Sequence, residues 1–198
     1  MKWTSLVIVV FGVAHLLPAQ ASLSAKDAAP LEVTLGYSAM RTNAPPGDCG
    51  CIWLQGAKAE FNAPILSRLS IAGELSGAHV ANINSVHEDL SLITYLLGAR
   101  YSLRTRGPLV PFAQALIGGV RGFDAIFPGP NGSTTALDSL AAALGGGLNM
   151  SLSHRFAIRA IQADYLQTHL PNDRNNRQNS LRLSAGIVFR FGLPRSLE

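Results

Sequence analysis

Near its C-terminal end the chain reads Asn179-Ser-Leu-Arg-Leu-Ser-Ala-Gly-Ile-Val-Phe-Arg-Phe-Gly192. Every second residue is apolar: Leu181, Leu183, Ala185, Ile187, Phe189 and Phe191. Between them stand Arg182, Ser184, Gly186, Val188 and Arg190. Strict alternation predicts a strand, because successive side chains leave a strand on opposite faces. One face is greasy and ends in two Phe. The other carries two Arg beside residues small enough to make room for them. Such a strand suits a wall with lipid outside and a crowded polar lumen inside.

The same two-faced pattern recurs along the chain and predicts eight strands. The first, Leu31 to Thr42, alternates Leu31, Val33, Leu35 and Tyr37 with Glu32, Thr34, Gly36 and Ser38. The second, Ile52 to Ile65, sets Lys58 and Glu60 opposite Ala57, Ala59 and Phe61. The third, Leu69 to Ala81, sets Glu74 and Ser76 opposite Ile71 and Leu75. The fourth, Leu92 to Arg104, sets Arg100 opposite Tyr95, Leu97 and Tyr101, whose rings suit the two membrane interfaces. In the fifth, Leu109 to Phe123, Gln114 and Arg121 have opposite parity, which predicts a bulge among Gly118, Gly119 and Gly122. The sixth, Ser139 to Ser153, carries inward Gly145 and Gly147, expected to leave room for long side chains opposite. In the seventh, Phe156 to His169, Arg159 breaks the parity of Gln162 and Asp164, which predicts a bulge near Ala160. The strand quoted at the outset closes the set.

The connections alternate in length. Short ones fall at Pro64–Arg68, Thr105–Pro108 and Ser153–Arg155; long ones at Asn43–Cys51, Asn82–Ser91, Asp124–Asp138 and Leu170–Gln178. Outer-membrane barrels have short periplasmic turns and long outer loops. The alternation therefore predicts an all-β, eight-stranded antiparallel transmembrane up-and-down β-barrel with both termini periplasmic. A soluble lipocalin-like barrel, the competing architecture, has no reason to segregate loop lengths and would place the apolar face inside.

Composition agrees. Charged residues make up 14% of the 198 and the mean hydropathy is +0.21, yet no interior run approaches the roughly 18 apolar residues of a membrane helix. The N-terminus has the form of a secretory signal: Lys2, an apolar core from Leu6 to Leu17, then Pro18-Ala-Gln-Ala21. The expected division is a signal peptide over 1–21, a periplasmic lead-in over 22–30, the barrel over 31–192 and a short tail over 193–198. The net charge of +4 falls to +3 without Lys2, and thirteen of the sixteen basic residues are Arg. With no dense Lys/Arg block, nucleic acid is not an expected partner. Arg at alternating strand positions suits buried bidentate pairing instead.

The segment Ser184-Ala-Gly186-Ile-Val-Phe189-Arg-Phe191 follows the pattern polar-x-Gly-x-x-aromatic-x-aromatic and resembles the C-terminal signal of bacterial outer-membrane barrels. In those proteins the pattern ends the chain; here residues 192–198 follow. The resemblance implies recognition of Gly186, Phe189 and Phe191 by the barrel-assembly machinery. The whole region after the signal resembles the small OmpA/OmpX-type barrel domain, with Pro111-Phe-Ala-Gln-Ala-Leu-Ile-Gly-Gly119, Gly145-Gly-Gly-Leu-Asn149 and Gln162-Ala-Asp-Tyr-Leu166 in its style. Such a barrel implies lipid and lipopolysaccharide as surroundings, a monomer, and an architecture rather than an activity.

The expected lumen holds Lys58, Glu60, Glu74, Arg100, Asp164, Arg182 and Arg190, with Arg159 joining them if the bulge is present. In so narrow a barrel, side chains fill the interior and buried charges must be matched. The first expectation is a paired ion network that plugs the lumen of a structural or surface-exposed protein. The alternative is a small gated pore in which Arg partners exchange among Glu60, Glu74 and Asp164. Cys49 and Cys51 are too few for a structural zinc site, which takes about four ligands. A loop disulfide is expected in an oxidising compartment, with metal binding at the pair as the lesser alternative. A lipid-modifying enzyme would need Ser beside His and a carboxylate at the rim. His154 adjoins Ser153, and Ser85, His87 and Glu88 share a loop, but solvated loop positions account for them as well. No enzyme activity, cofactor or metal is expected. Surface-ligand binding by the long loops, adhesin-like, is the remaining class.

Overall fold

A computed structural model describes residues 30–42, 52–81, 89–103, 105, 107–129, 132–171 and 176–192. The expected signal, most of the expected lead-in, the tail and Cys49 and Cys51 lie outside the described residues. Eight strands follow one another: β1 (Leu31–Thr42), β2 (Ile52–Pro64), β3 (Leu69–Val80), β4 (Leu90–Ser102), β5 (Leu109–Gly129), β6 (Gly132–Ser151), β7 (Phe156–Thr168) and β8 (Gln178–Phe191). Each pairs antiparallel with its neighbours in sequence, and β1 pairs with β8, so the sheet is a closed barrel. The short turns, the start of β1 and the end of β8 share one rim; the long connections share the other.

The alternation read from the sequence holds. Leu181, Leu183, Ala185 and Ile187 of β8 are exposed, while Arg182, Ser184 and Val188 are buried. Around the barrel, Leu35, Tyr37, Phe61, Leu75, Tyr95, Leu97, Ile117, Leu144, Ile161 and Tyr165 all face outward and are exposed. A soluble barrel would turn these side chains inward. Here the outer surface is a continuous apolar band, the form of a wall solvated by lipid.

The bulge at Ala160 is present. Opposite β6 the register jumps from Leu148–Ile161 to Asn149–Arg159, which turns Arg159 inward beside Gln162. Two other expectations need correction. No bulge lies among Gly118, Gly119 and Gly122, because β5 keeps register with β4 and β6 from Phe112 to Phe123. Arg121 has the opposite parity to Gln114 simply because it faces out, where it meets Asp138 at 3.4 Å with both side chains exposed. Nor is Asp124–Asp138 a loop. β5 and β6 continue as a two-stranded ribbon to the pair Gly129–Gly132, past the last β4 pairing at Phe123. The register shifts between Phe123 and Phe127, and Asp124 takes φ 66° there. Among the described residues β5 has no β4 partner at the height of Pro128 to need its missing N–H. β4 also starts earlier than expected, at Leu90.

Inward glycines set how closely the walls approach. A Cβ on Gly147 would stand 2.8 Å from the Phe112 ring and 3.0 Å from Gln162 Cα; on Gly145 it would collide with the Asp164 carboxylate. The glycines on β6 thus hold the space that Phe112, Gln162 and Asp164 fill. Gly147→Val is expected to cost about 1–3 kcal/mol through overpacking, read as a lower urea midpoint of the barrel folded in lipid vesicles. Gly107→Val, where an added Cβ meets nothing within 4 Å, should leave that midpoint unchanged.

Candidate functional site: the filled lumen

Inward-facing side chains stack in three layers along the barrel axis. Next to the rim of long connections the layer is apolar. Met40, Leu54, Leu90, Leu92, Leu96, Leu116, Val120, Leu166 and Leu170 are buried together. Phe127, turned inward by the β5 bulge, packs on Gly122 and joins them. A polar lumen throughout was the expectation, and this end corrects it. Leu92 and Leu96 do not stand out as lumen residues because the outward face of β4 beside them, Ile93, Tyr95 and Leu97, is equally apolar. Val120 does not because the adjacent Arg121 reads as the inward residue until its exposed pair with Asp138 is seen.

The middle layer is ionic. Lys58, Glu60, Glu74, Arg100, Arg159, Asp164 and Arg182 are each 4% exposed or less, so the structure brings together every predicted lumen charge but one. Glu60 sits at its centre. Arg100 and Arg159 both donate to Glu60 Oε1, the latter at 2.7 Å, and Lys58 Nζ stands 3.4 Å from Oε2. Arg182 bridges Glu74 at 2.6 Å and Asp164 at 3.0 Å, and Lys58 reaches the same two carboxylates at 3.0 and 3.3 Å. Neutral amides complete the set. Gln162 donates to Asp164 at 2.8 and 3.0 Å, and Gln114 accepts from Arg100 Nε at 3.1 Å. Asn149 accepts from Arg159 Nε at 3.0 Å. Phe112 lies under two guanidiniums, with the Arg100 and Arg159 carbons 4.1 and 4.7 Å from its ring centre. Gln114, Phe112 and Asn149 were not predicted as partners. Their inward parity on β5 and β6 was the available signal, but a neutral side chain on a strand does not announce a charged neighbour.

Arg190 is the exception. It lies in the third layer, at the rim of short turns, where its Nε donates to Glu32 at 2.9 Å and its Nη1 to Ser151 at 3.0 Å. It forms a separate pair from the central cluster, and Glu32 is the partner that the sequence reading missed. This mouth opens as a vestibule of about 780 Å³ whose lining includes Glu32, Asn62, Arg68, Asn149, Ser151 and Arg190. Of the assembly-signal residues, Gly186 faces inward against the Gly36 backbone. Phe189 packs edge-on against Phe156, with ring centres 5.6 Å apart, and Phe191 is exposed at the same rim.

Outside the lumen, the band's upper edge carries a hydrogen-bonded chain. Ser91 Oγ donates to Asp124 Oδ2 at 2.8 Å and stands 3.0 Å from His79 Nδ1. The hydroxyl lies between acid and imidazole, whereas a nucleophilic triad needs the imidazole in the middle. Ser85, His87 and Glu88 lie outside the described residues, and Ser153 Oγ accepts from the Arg155 and Phe156 amides, a turn contact. Among the described residues no group of three or more His, Cys, Asp or Glu is placed to hold a metal.

An eight-stranded meander closed on itself, apolar outside and ion-paired inside, defines a small transmembrane barrel of the outer-membrane type. Its fold is that of the OmpA/OmpX class. The structure superposes on Neisserial surface protein A with a TM-score of 0.62 and 16% identity, covering 81% of this chain and 97% of that one. It superposes on Ail, the attachment invasion locus protein of Yersinia pestis, with a TM-score of 0.53 and 19% identity, covering 82% and 99%. By sequence, no family profile and no curated protein matches the chain.

Glu60→Ala would leave three buried cations around a missing carboxylate. The expected loss is about 3–5 kcal/mol, seen as a lower urea midpoint and loss of the compact unboiled gel band. Asp138→Ala, which breaks the exposed Arg121 pair, should cost under about 1 kcal/mol by the same assay.

Proposed function

We propose that the protein is a closed, monomeric barrel of the bacterial outer membrane with a structural or surface-exposed role. In this reading the termini and short turns face the periplasm and the long connections face outward. Lipid and lipopolysaccharide solvate the apolar band, and the assembly machinery reads Gly186, Phe189 and Phe191. The observation that carries the reading is the filled lumen. Water or ions crossing it would have to pass both a layer of leucines and a layer in which each carboxylate is held by at least two cations. Neither an exchange of Arg partners nor a vestibule at one mouth opens the apolar layer. The protein has no catalytic role in this reading.

A second reading, recognition of a surface ligand, is favoured by the β5–β6 ribbon, which extends past the other strands and exposes Ile126. It is compatible with the first, since loops on a rigid wall carry recognition without altering the lumen.

The refolded protein should show different mobility when boiled and unboiled, and purified barrels in planar bilayers should give no channel events. Discrete conductance steps would establish the pore, and identical mobility with protein recovered from the soluble periplasm would favour a lipocalin-like binder.

A further inference from the structure

The central charges do not balance. Among the described residues, the ionic layer contains four cations, Lys58, Arg100, Arg159 and Arg182, and three carboxylates, Glu60, Glu74 and Asp164. The surplus has a location. Lys58 and Arg182 share Glu74 and Asp164, a matched two-against-two set. Arg100 and Arg159 are left with Glu60, two guanidiniums on one carboxylate that Lys58 Nζ also approaches at 3.4 Å, so the surplus cation falls here. Arg keeps its proton in proteins, so the mismatch is not relieved by deprotonation. The Phe112 ring beneath both guanidiniums offers a quadrupole but no net charge.

Both of these residues also carry an unanswered terminal guanidinium donor, whereas the unanswered donor of Arg182 is its inner Nε. Arg100 Nη1 and Arg159 Nη2 are buried with no hydrogen-bond partner, on side chains 1% exposed. A buried guanidinium N–H without an acceptor is costly. Water would satisfy the donors but leave the charge. The vestibule supplies a neighbouring aqueous space: Asn62 and Asn149 line it, and the same two amides hold Glu60 and Arg159.

We propose that Arg100 and Arg159 hold one small monovalent anion of halide size beneath the vestibule floor, completing the charge of the ionic layer. The anion enters from the rim of short turns past Asn62 and Asn149. It does not traverse the barrel, because the apolar layer closes the far side. The direction of entry thus rests on the closed lumen, while the site itself depends only on the Arg pair.

Bromide tests it, since bromide scatters anomalously. Crystals of the refolded barrel equilibrated with sodium bromide should show an anomalous peak within hydrogen-bond reach of Arg100 Nη1 and Arg159 Nη2. At constant ionic strength, replacing gluconate by bromide should raise the midpoint of the unboiled-to-boiled gel transition by several degrees. Arg159→Gln, which removes the surplus charge, should abolish that rise. Should Arg159→Gln fail to fold, the anomalous map decides alone. No peak at the Arg pair, a peak only at surface cations, or a midpoint indifferent to the anion overturns the site. Channel events in a bilayer would overturn the closed lumen instead, and leave a bromide peak at the pair standing.

Discussion

A strand wall in lipid has no water to satisfy a stray N–H, and no place for an unpaired charge. Closure of β1 on β8 answers the first constraint. Thr34 to Met40 pair without interruption against Val188 to Arg182, so the sheet has no free edge along the band. The second constraint falls on Glu60. Its one carboxylate engages three cations from three strands, β2, β4 and β7, so the ionic layer ties opposite walls together across the axis. Replacing such a layer by well-packed apolar residues is often neutral for stability, but removing one member is not. The layer therefore fixes which strands face one another more than it adds net stability.

The glycines follow from that layer. Long Arg, Lys and Gln side chains need depth, and an eight-stranded barrel has little. β6 provides it by giving up side chains at Gly145 and Gly147, and the bulge at Ala160 turns Arg159 into the space so made. Three local oddities of sequence, a glycine run, a parity break and an inward Phe112, thus answer one packing problem.

Much of this is legible in the residues alone. Alternation sets the facing of β1 to β3 and β8, because polar and apolar residues differ there at nearly every step. The parity break at Arg159 locates the bulge because an Arg on the lipid face carries a large penalty. Arg121 misleads for the same reason: it does face outward, but at the end of the band, beside Asp138 and below a ribbon. The ribbon itself is hidden by Pro128-Gly-Pro-Asn-Gly132, whose turn signal outweighs the short strands on either side. The apolar lumen layer is hidden too: on β4 the outward Ile93, Tyr95 and Leu97 are as apolar as the inward Leu92 and Leu96, and on β5 the charge beside Val120, Arg121, is the residue that faces out. Partner choice is the remaining gap. Arg190 finds Glu32 rather than the central carboxylates because barrel registry, not local sequence, sets their height.

The central claim is that one face of each strand is solvated by lipid and the other packs a sealed interior. Spin labels placed singly at Leu181, Leu183, Ala185 and Ile187 of β8, with the protein folded in vesicles, test it most directly. Collisions with oxygen, which concentrates in lipid, should exceed collisions with a water-soluble nickel chelate at all four positions. Nickel collisions equal to or above those of oxygen along this strand would place the apolar face in water and contradict the membrane barrel.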